Sequence, residues 1–219
     1  PNPRHPGGVV PGTFPEDLHV MNADGSGQRN LTRNPARDGH PDWSPDGRRI
    51  SFGRGRQAWV MNADGSGQRS LTPAAGWRSS GPDWSPDGRK IAFGGRAPTS
   101  PPDGGIFVSN ADGSERRRLT QRGESPAWSP DGRKIAFGER DGGIYVMNAD
   151  GSERRRLTQS GGSPAWSPDG KMIAFDHSVA TGAELYVMTA DRSRKRRLMR
   201  SDRGVLSQDL PFAWSPAQK

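Results

Sequence analysis

The sequence predicts an all-β propeller of five blades, each a four-stranded antiparallel sheet, with the ring closed by pairing between the N- and C-terminal strands. Three observations predict it. Trp43, Trp84, Trp128, Trp166 and Trp214 each stand in Trp-Ser-Pro, at spacings of 41, 44, 38 and 48 residues. A second signature, Asn-Ala-Asp-Gly, ends at Gly25, Gly65, Gly113 and Gly151, with Thr189-Ala190-Asp191-Arg192 as its variant. A period near forty with turn signals inside each unit marks a stacked or circular β array. No window sustains a helical period.

The unit that begins at Pro126 shows the elements in order. Strand A is Pro126–Ser129, and Ser129-Pro130-Asp131-Gly132 is a turn. Serine at its first position, proline with its preset φ at the second and glycine at the fourth suit type I geometry. Strand B is Lys134–Phe137 and strand C is Ile144–Met147. Asn148-Ala149-Asp150-Gly151 turns the chain again, and strand D is Arg154–Thr158. Strands B and C are apolar on both faces while D carries one leucine among arginines. That gradient is expected when sheets stack face to face and the last strand lies outermost.

Complete blades fall at about 41–72, 82–120, 126–158 and 164–199. The remainder is divided between the two ends. Pro211–Trp214 supplies an A strand, while Leu18–Met21 and Arg29–Thr32 read as C and D. Val9 lies as far before Leu18 as Ile135 lies before Ile144, so Gly8–Val10 reads as B. A fifth blade, 211–216 plus 8–32, would close the ring and protect strand edges that otherwise invite aggregation. Pieces of a larger ring or a ring of several chains would leave the same remainder.

These residues resemble the TolB-like β-propeller repeats, a WD-repeat-like family. Its units read approximately Trp-Ser-Pro-Asp-Gly, Ile-Ala-Phe, Ile-Tyr-Val-Met-Asn-Ala-Asp-Gly and Arg-Leu-Thr. The likeness runs from about Val9 to Pro216 and is specific for the fold. The resemblance implies a periplasmic or extracellular interaction module, or an accessory domain of a peptidase or polysaccharide-active enzyme. A fold alone does not choose among them.

Composition excludes other classes. The 219 residues are 30% hydrophobic and contain 30 glycines and 20 prolines, with no stretch near the ~18 apolar residues of a spanning helix. Without cysteine there is no disulfide framework, zinc ribbon or thiol nucleophile. The opening Pro1-Asn2-Pro3, without an initiator methionine or an apolar run, reads as a processed or trimmed start. A net charge of +8 favours anionic partners.

The D–A and B–C connections vary in length and share one face of the disc, whereas the A–B and C–D turns hardly vary. Binding is expected on the variable face. Trp77, in a loop beside Arg78, is a contact anchor or a lid over apolar surface. Asp42 and Asp83 precede their tryptophans where other units carry Ala127, Ala165 and Ala213, so two carboxylates line the channel with His40 close by. They would hold a cation or a partner's ammonium group, or bond backbone amides and arginines. Two fall short of calcium's six to eight oxygens, and the Asn-x-Asp-Gly turns lack a bidentate glutamate. No metal or cofactor is expected.

His177 lies in the loop after a B strand. Arg116, Arg117, Arg118, Arg154, Arg155, Arg156, Arg194, Lys195, Arg196 and Arg197 form a basic rim on the outer strands, able to meet phosphate or acidic polysaccharide. The same charges serve equally to keep sheet edges apart. No aromatics interleave with them, so a nucleic-acid groove is unsupported. The four histidines are scattered and no nucleophile elbow or phosphate loop is found, so no catalytic constellation emerges.

The expected protein is therefore a monomeric, non-enzymatic scaffold for a protein or an anionic ligand. Competing readings are a peptidase or polysaccharide-enzyme propeller, a lectin-like binder of acidic glycans, and a recently amplified or engineered ring without a selected ligand. For the last, Val108–Gln121 and Val146–Gln159 match at 13 of 14 positions.

Overall fold

The computed structural model describes residues 17–72, 77–98, 104–139, 142–179 and 182–201. An N-terminal pair, β1 (His19–Val20) and β2 (Arg29–Asn30), comes first. Four antiparallel four-stranded sheets follow, each in simple meander order. The first is β3 (Asp38–Trp43), β4 (Arg49–Arg54), β5 (Gln57–Asn62) and β6 (Arg69–Ser70). The second is β7 (Arg78–Trp84), β8 (Lys90–Arg96), β9 (Gly104–Asn110) and β10 (Arg117–Arg118). The third comprises β11 (Glu124–Trp128), β12 (Lys134–Gly138), β13 (Ile144–Asn148) and β14 (Arg155–Arg156). The last comprises β15 (Gly162–Trp166), β16 (Met172–Val179), β17 (Gly182–Thr189) and β18 (Lys195–Ser201).

Among the described residues there is no helix, and none is long and apolar enough to cross a membrane. The C and D strands of the expected fifth blade are present as β1 and β2. Its A and B strands, 211–214 and 8–10, lie outside the described residues.

The turn residues act as their chemistry dictates. In Trp43-Ser44-Pro45-Asp46-Gly47 the Gly47 N–H bonds the Ser44 carbonyl at 2.8 Å. The Ser44 hydroxyl donates to Asp46 Oδ1 at 2.6 Å and accepts the Arg49 N–H at 2.9 Å. The serine-to-aspartate bond recurs at 2.6 Å for Ser85–Asp87, Ser129–Asp131 and Ser167–Asp169. In the C–D turns a second serine donates to its aspartate, as Ser66 does to Asp64 at 2.6 Å and Ser152 to Asp150 at 2.6 Å. These hydroxyl bonds hold both sets of carboxyls below the ordinary range. The hairpins thus use up the carboxylates of the Asn-x-Asp-Gly sequences in their own turns.

Each central strand presents two apolar faces because a blade packs on both sides. Ile50, Phe52 and Met61 meet Leu18 and Leu31 of the N-terminal segment. Ala58, Val60 and Leu71 turn the other way, onto Trp84, Ile91 and Phe93 of the next blade. The same alternation repeats around Ile135 and Phe137, then around Ile173 and Phe175. First strands sit innermost, β7 against both β3 and β11, and β11 against β15. The tryptophans add polar links between wedges. Trp84 Nε1 donates to the Asp42 carbonyl at 3.3 Å and Trp166 Nε1 to that of Ala127 at 3.2 Å.

Two local features depart from the plain hairpin pattern. Every inner strand slips register beside its proline, between Gly39 and Asp42 in the first blade. His40, Ser125 and Ser163, each preceding a proline, take φ of 51°, 49° and 45°. A β-bulge with a left-handed residue explains both facts. The outer strands β6, β10 and β14 are also shorter than the sequence suggests. Thr120 and Thr158 hydroxyls accept the Ile106 and Ile144 N–H groups at 2.9 and 2.8 Å, replacing the next ladder bond.

Candidate functional site

The inner strands carry the two unusual carboxylates. Register pairs Asp42 with Ser51 and Asp83 with Ala92, placing both nearer the A–B turns than the variable loops. The half-buried Asp83 has its Oδ2 2.6 Å from the Trp128 N–H, which donates to it across the blade boundary. Burial pushes its carboxyl up to about 7, opposed by that amide and reinforced by the charge of Asp42. Water reaches Asp42, yet crowding still raises its carboxyl, with the Trp43 amide opposing. The structure thus brings Asp42 and Asp83 into one electrostatic field, while exposed His40 sits on the bulge upstream.

The raised carboxyl sets a pH dependence. Between the unfolded aspartate value of about 3.9 and about 7, folded Asp83 holds a proton that the unfolded chain has lost. Its contribution to stability is complete below that window and disappears as pH climbs through 7. Asp83→Asn keeps an acceptor for the Trp128 amide but has no charge to bury. The variant should therefore gain on the parent by about 1–2 kcal/mol between pH 5 and 8, or a few degrees in melting temperature. Parallel melting curves across that range would show Asp83 already ionised in the native state.

The loop-side rim is organised by one position, two residues beyond the phenylalanine of each B strand. Here stand Arg54, Gly95, Glu139 and His177. Below each is a cross-strand aromatic pair: Phe52–Trp59, Phe93–Phe107, Phe137–Tyr145 and Phe175–Tyr186. Arg54 lies over both rings of the first pair and makes a two-pronged ion pair with Asp38, at 2.7 and 2.8 Å. Gly95 leaves room for Trp77, whose indole packs edge-on to Phe107 at 5.7 Å. Trp77 therefore covers neighbouring apolar surface. Arg78, its exposed neighbour, pairs in register with Arg96.

In the third blade, buried Glu139 forms an ion pair with Arg154, whose guanidinium lies 4.6 Å from the Tyr145 ring centre. In the fourth, Glu184 accepts the Tyr186 hydroxyl at 2.8 Å and the Arg197 guanidinium at 2.7 Å. The tyrosine hydroxyl chiefly, then Arg197, holds the Glu184 carboxyl low. Half-buried His177 has Nδ1 3.9 Å from Glu184 and its ring tilted against Tyr186. These clusters were not singled out from the sequence, although aligning the repeats on the B-strand phenylalanine exposes the varying position.

The basic rim divides into two kinds of residue. Arg118 and Arg156 bond the carbonyls of Thr120 and Thr158, each at 2.8 Å, and also those of Gly104 and Gly142. Arg116 and Arg155 reach the Leu71 and Ala190 carbonyls of neighbouring blades, each at 3.3 Å. Arg117 is exposed, and its positive charge adds to the Ser152 hydrogen bonds that chiefly lower the Asp150 carboxyl. Lys195 lies 5.1 Å from the Tyr186 ring centre, and Arg194 and Arg196 are exposed. On the constant-turn face, an open cavity of about 280 Å³ is lined by Arg49, Met61, Asn62 and Arg69 among others. Among the described residues no three His, Asp or Glu side chains converge as a metal site.

Comparisons with known proteins agree with this architecture. The family model described as the TolB beta propeller domain matches residues 54–218. No curated protein sequence matches. TolB from Agrobacterium tumefaciens superposes with a TM-score of 0.69 at 23% identity, over 84% of this chain and 69% of that one. TolB from Acinetobacter baumannii gives 0.66 at 21% identity, over 83% of this chain and 48% of that one. An oligogalacturonate lyase in complex with manganese gives 0.65 at 15% identity, over 83% and 58%. At these identities the likeness is one of fold, and the chain spans between about half and two thirds of those proteins.

Proposed function

Because the chain belongs to the TolB β-propeller domain family, we propose that it is a non-enzymatic scaffold for a protein or an anionic ligand. The ligand would lie across the variable-loop face, with His40, Arg78 and His177 as contacts and Trp77 as the floor beneath. Asp42, joined by Asp83 once its carboxyl ionises, would take a cationic group of the partner reaching down the channel toward the A–B turns. One observation carries this reading. The A–B turns repeat their hydrogen bonds blade after blade, while the opposite rim carries a different side chain in every blade: Arg54, Gly95, Glu139 and His177. Variation on a fixed frame is the usual arrangement of a binding face.

We take the domain as a single ring over 1–219, its fifth blade formed by 211–216 with 8–32. We take it as a monomer, and the family resemblance supports a periplasmic or extracellular setting. The test is affinity capture and glycan-array binding by the intact chain, repeated with Asp42→Asn, Arg78→Ala and His177→Ala after each is shown to melt like the parent. A tenfold or greater loss in at least one variant supports the face, and unchanged capture by all three removes it. The enzymatic reading is favoured by the likeness in fold to oligogalacturonate lyases and to a puromycin hydrolase. Turnover of oligogalacturonate lost on His40→Ala or His177→Ala would establish it.

A further inference from the structure

Strand β18 is seven residues long, whereas β6, β10 and β14 have two each. The sequence explains the difference. Where other repeats end in Leu-Thr, this one reads Leu198-Met199. Met199 has no hydroxyl to take the ladder's place, so pairing continues through Leu185↔Met199, Glu184↔Arg200 and Ala183↔Ser201. A bulge at Leu198 is the one irregularity. Among the described residues β18 pairs only with β17, so its outer backbone edge carries no strand.

The side chains on this edge select a partner. Arg192, Arg194, Lys195, Arg196, Arg197 and Arg200 are all exposed. Leu198 and Met199 are each 47% exposed among them. Nearby acids are already engaged: Glu184 by Arg197 and Tyr186, Asp191 by Thr189 and Ser193. A long edge strand is a template for strand addition, and charge normally guards it against like neighbours. A second copy would set cations against cations. An acidic strand meets both the free backbone and the charge.

We propose that the outer edge of β18 binds an extended acidic peptide segment of a partner protein by strand addition. The carboxylates of that segment would meet Arg194 and Arg196, and an apolar residue farther along the same face would cover Met199. This surface is separate from the channel mouth and does not depend on the function proposed above.

The probe is a synthetic eight-residue peptide carrying Glu, Glu and Val in turn along one face, followed by fluorescence anisotropy with the full chain. Expected results are saturable binding, none for the Lys/Val counterpart, and at least tenfold weaker binding when alternate backbone amides are N-methylated. Met199→Thr, which restores the strand terminator, and Arg196→Glu should each weaken binding at least fivefold, with melting curves confirming that both fold. Absence of binding would overturn the proposal. So would equal affinity for the N-methylated peptide, which would mark simple ion pairing, or competition by polygalacturonate that leaves no strand-specific component. The N-methylated arm needs no variant protein, so a misfolded mutant leaves the question decidable.

Discussion

Asp38→Ala is expected to cost about 3–5 kcal/mol of stability, lowering the melting temperature by roughly 10 °C. Asp38 is fully buried, and Arg54 retains 9% side-chain exposure. The guanidinium is held by two hydrogen bonds to Asp38 and by the rings of Phe52 and Trp59, at 5.2 and 4.8 Å from their centres. Removing the carboxylate strands a cation in a site that water barely enters, and its desolvation cost is no longer offset. The double replacement Asp38→Leu with Arg54→Met removes both charges and should recover most of the loss. Thermal melts of the two variants decide it. If the single variant melts within a degree or two of the parent, Arg54 reaches solvent or another partner in solution.

Deleting residues 211–219 should have an effect at least as large. Trp84 and Trp128 are buried between blades, but Trp43, in the first complete blade, is 46% exposed among the described residues. Trp84 hydrogen-bonds the residue preceding the tryptophan of the blade before it. By that rule Trp43 would seat against Phe212 and Ala213, and the proposed fifth blade would cover it. Without that strand a large indole and an inner sheet edge remain open. We expect oligomers or aggregates by light scattering and a loss of several kcal/mol in stability. A truncated chain that stays monomeric and equally stable would sink the proposed closure.

Much of the frame was legible because it is written in repeated residues with single structural meanings. Trp-Ser-Pro-Asp-Gly can be read as a turn since serine, proline and glycine each satisfy one requirement of its geometry. The two-faced B and C strands likewise announced blades on both sides. The bulge was harder to see, because a residue before proline ordinarily avoids the left-handed region that His40 occupies. Arg154 and Arg156 stand in the same basic run, yet one pairs with Glu139 and the other clamps backbone carbonyls. A run of like charges does not encode which carbonyl or carboxylate will fold back onto it. The candidate site was legible only as single departures from the repeat, Asp42, Asp83 and His177. Their surroundings depend on side chains from neighbouring blades.

The indole bonds from Trp84 to Asp42 and from Trp166 to Ala127 all point backward along the chain. The second and fourth wedges are therefore docked onto their predecessors through main-chain acceptors, whose chemistry is indifferent to which residue supplies them, whereas the third uses its Trp128 amide on the Asp83 side chain. A copy of the second or fourth wedge inserted elsewhere in the series would find the same main-chain acceptor waiting. At joints of that kind growth by duplication meets no recognition barrier, and the limit on ring size falls to geometry, the angle each wedge subtends about the axis.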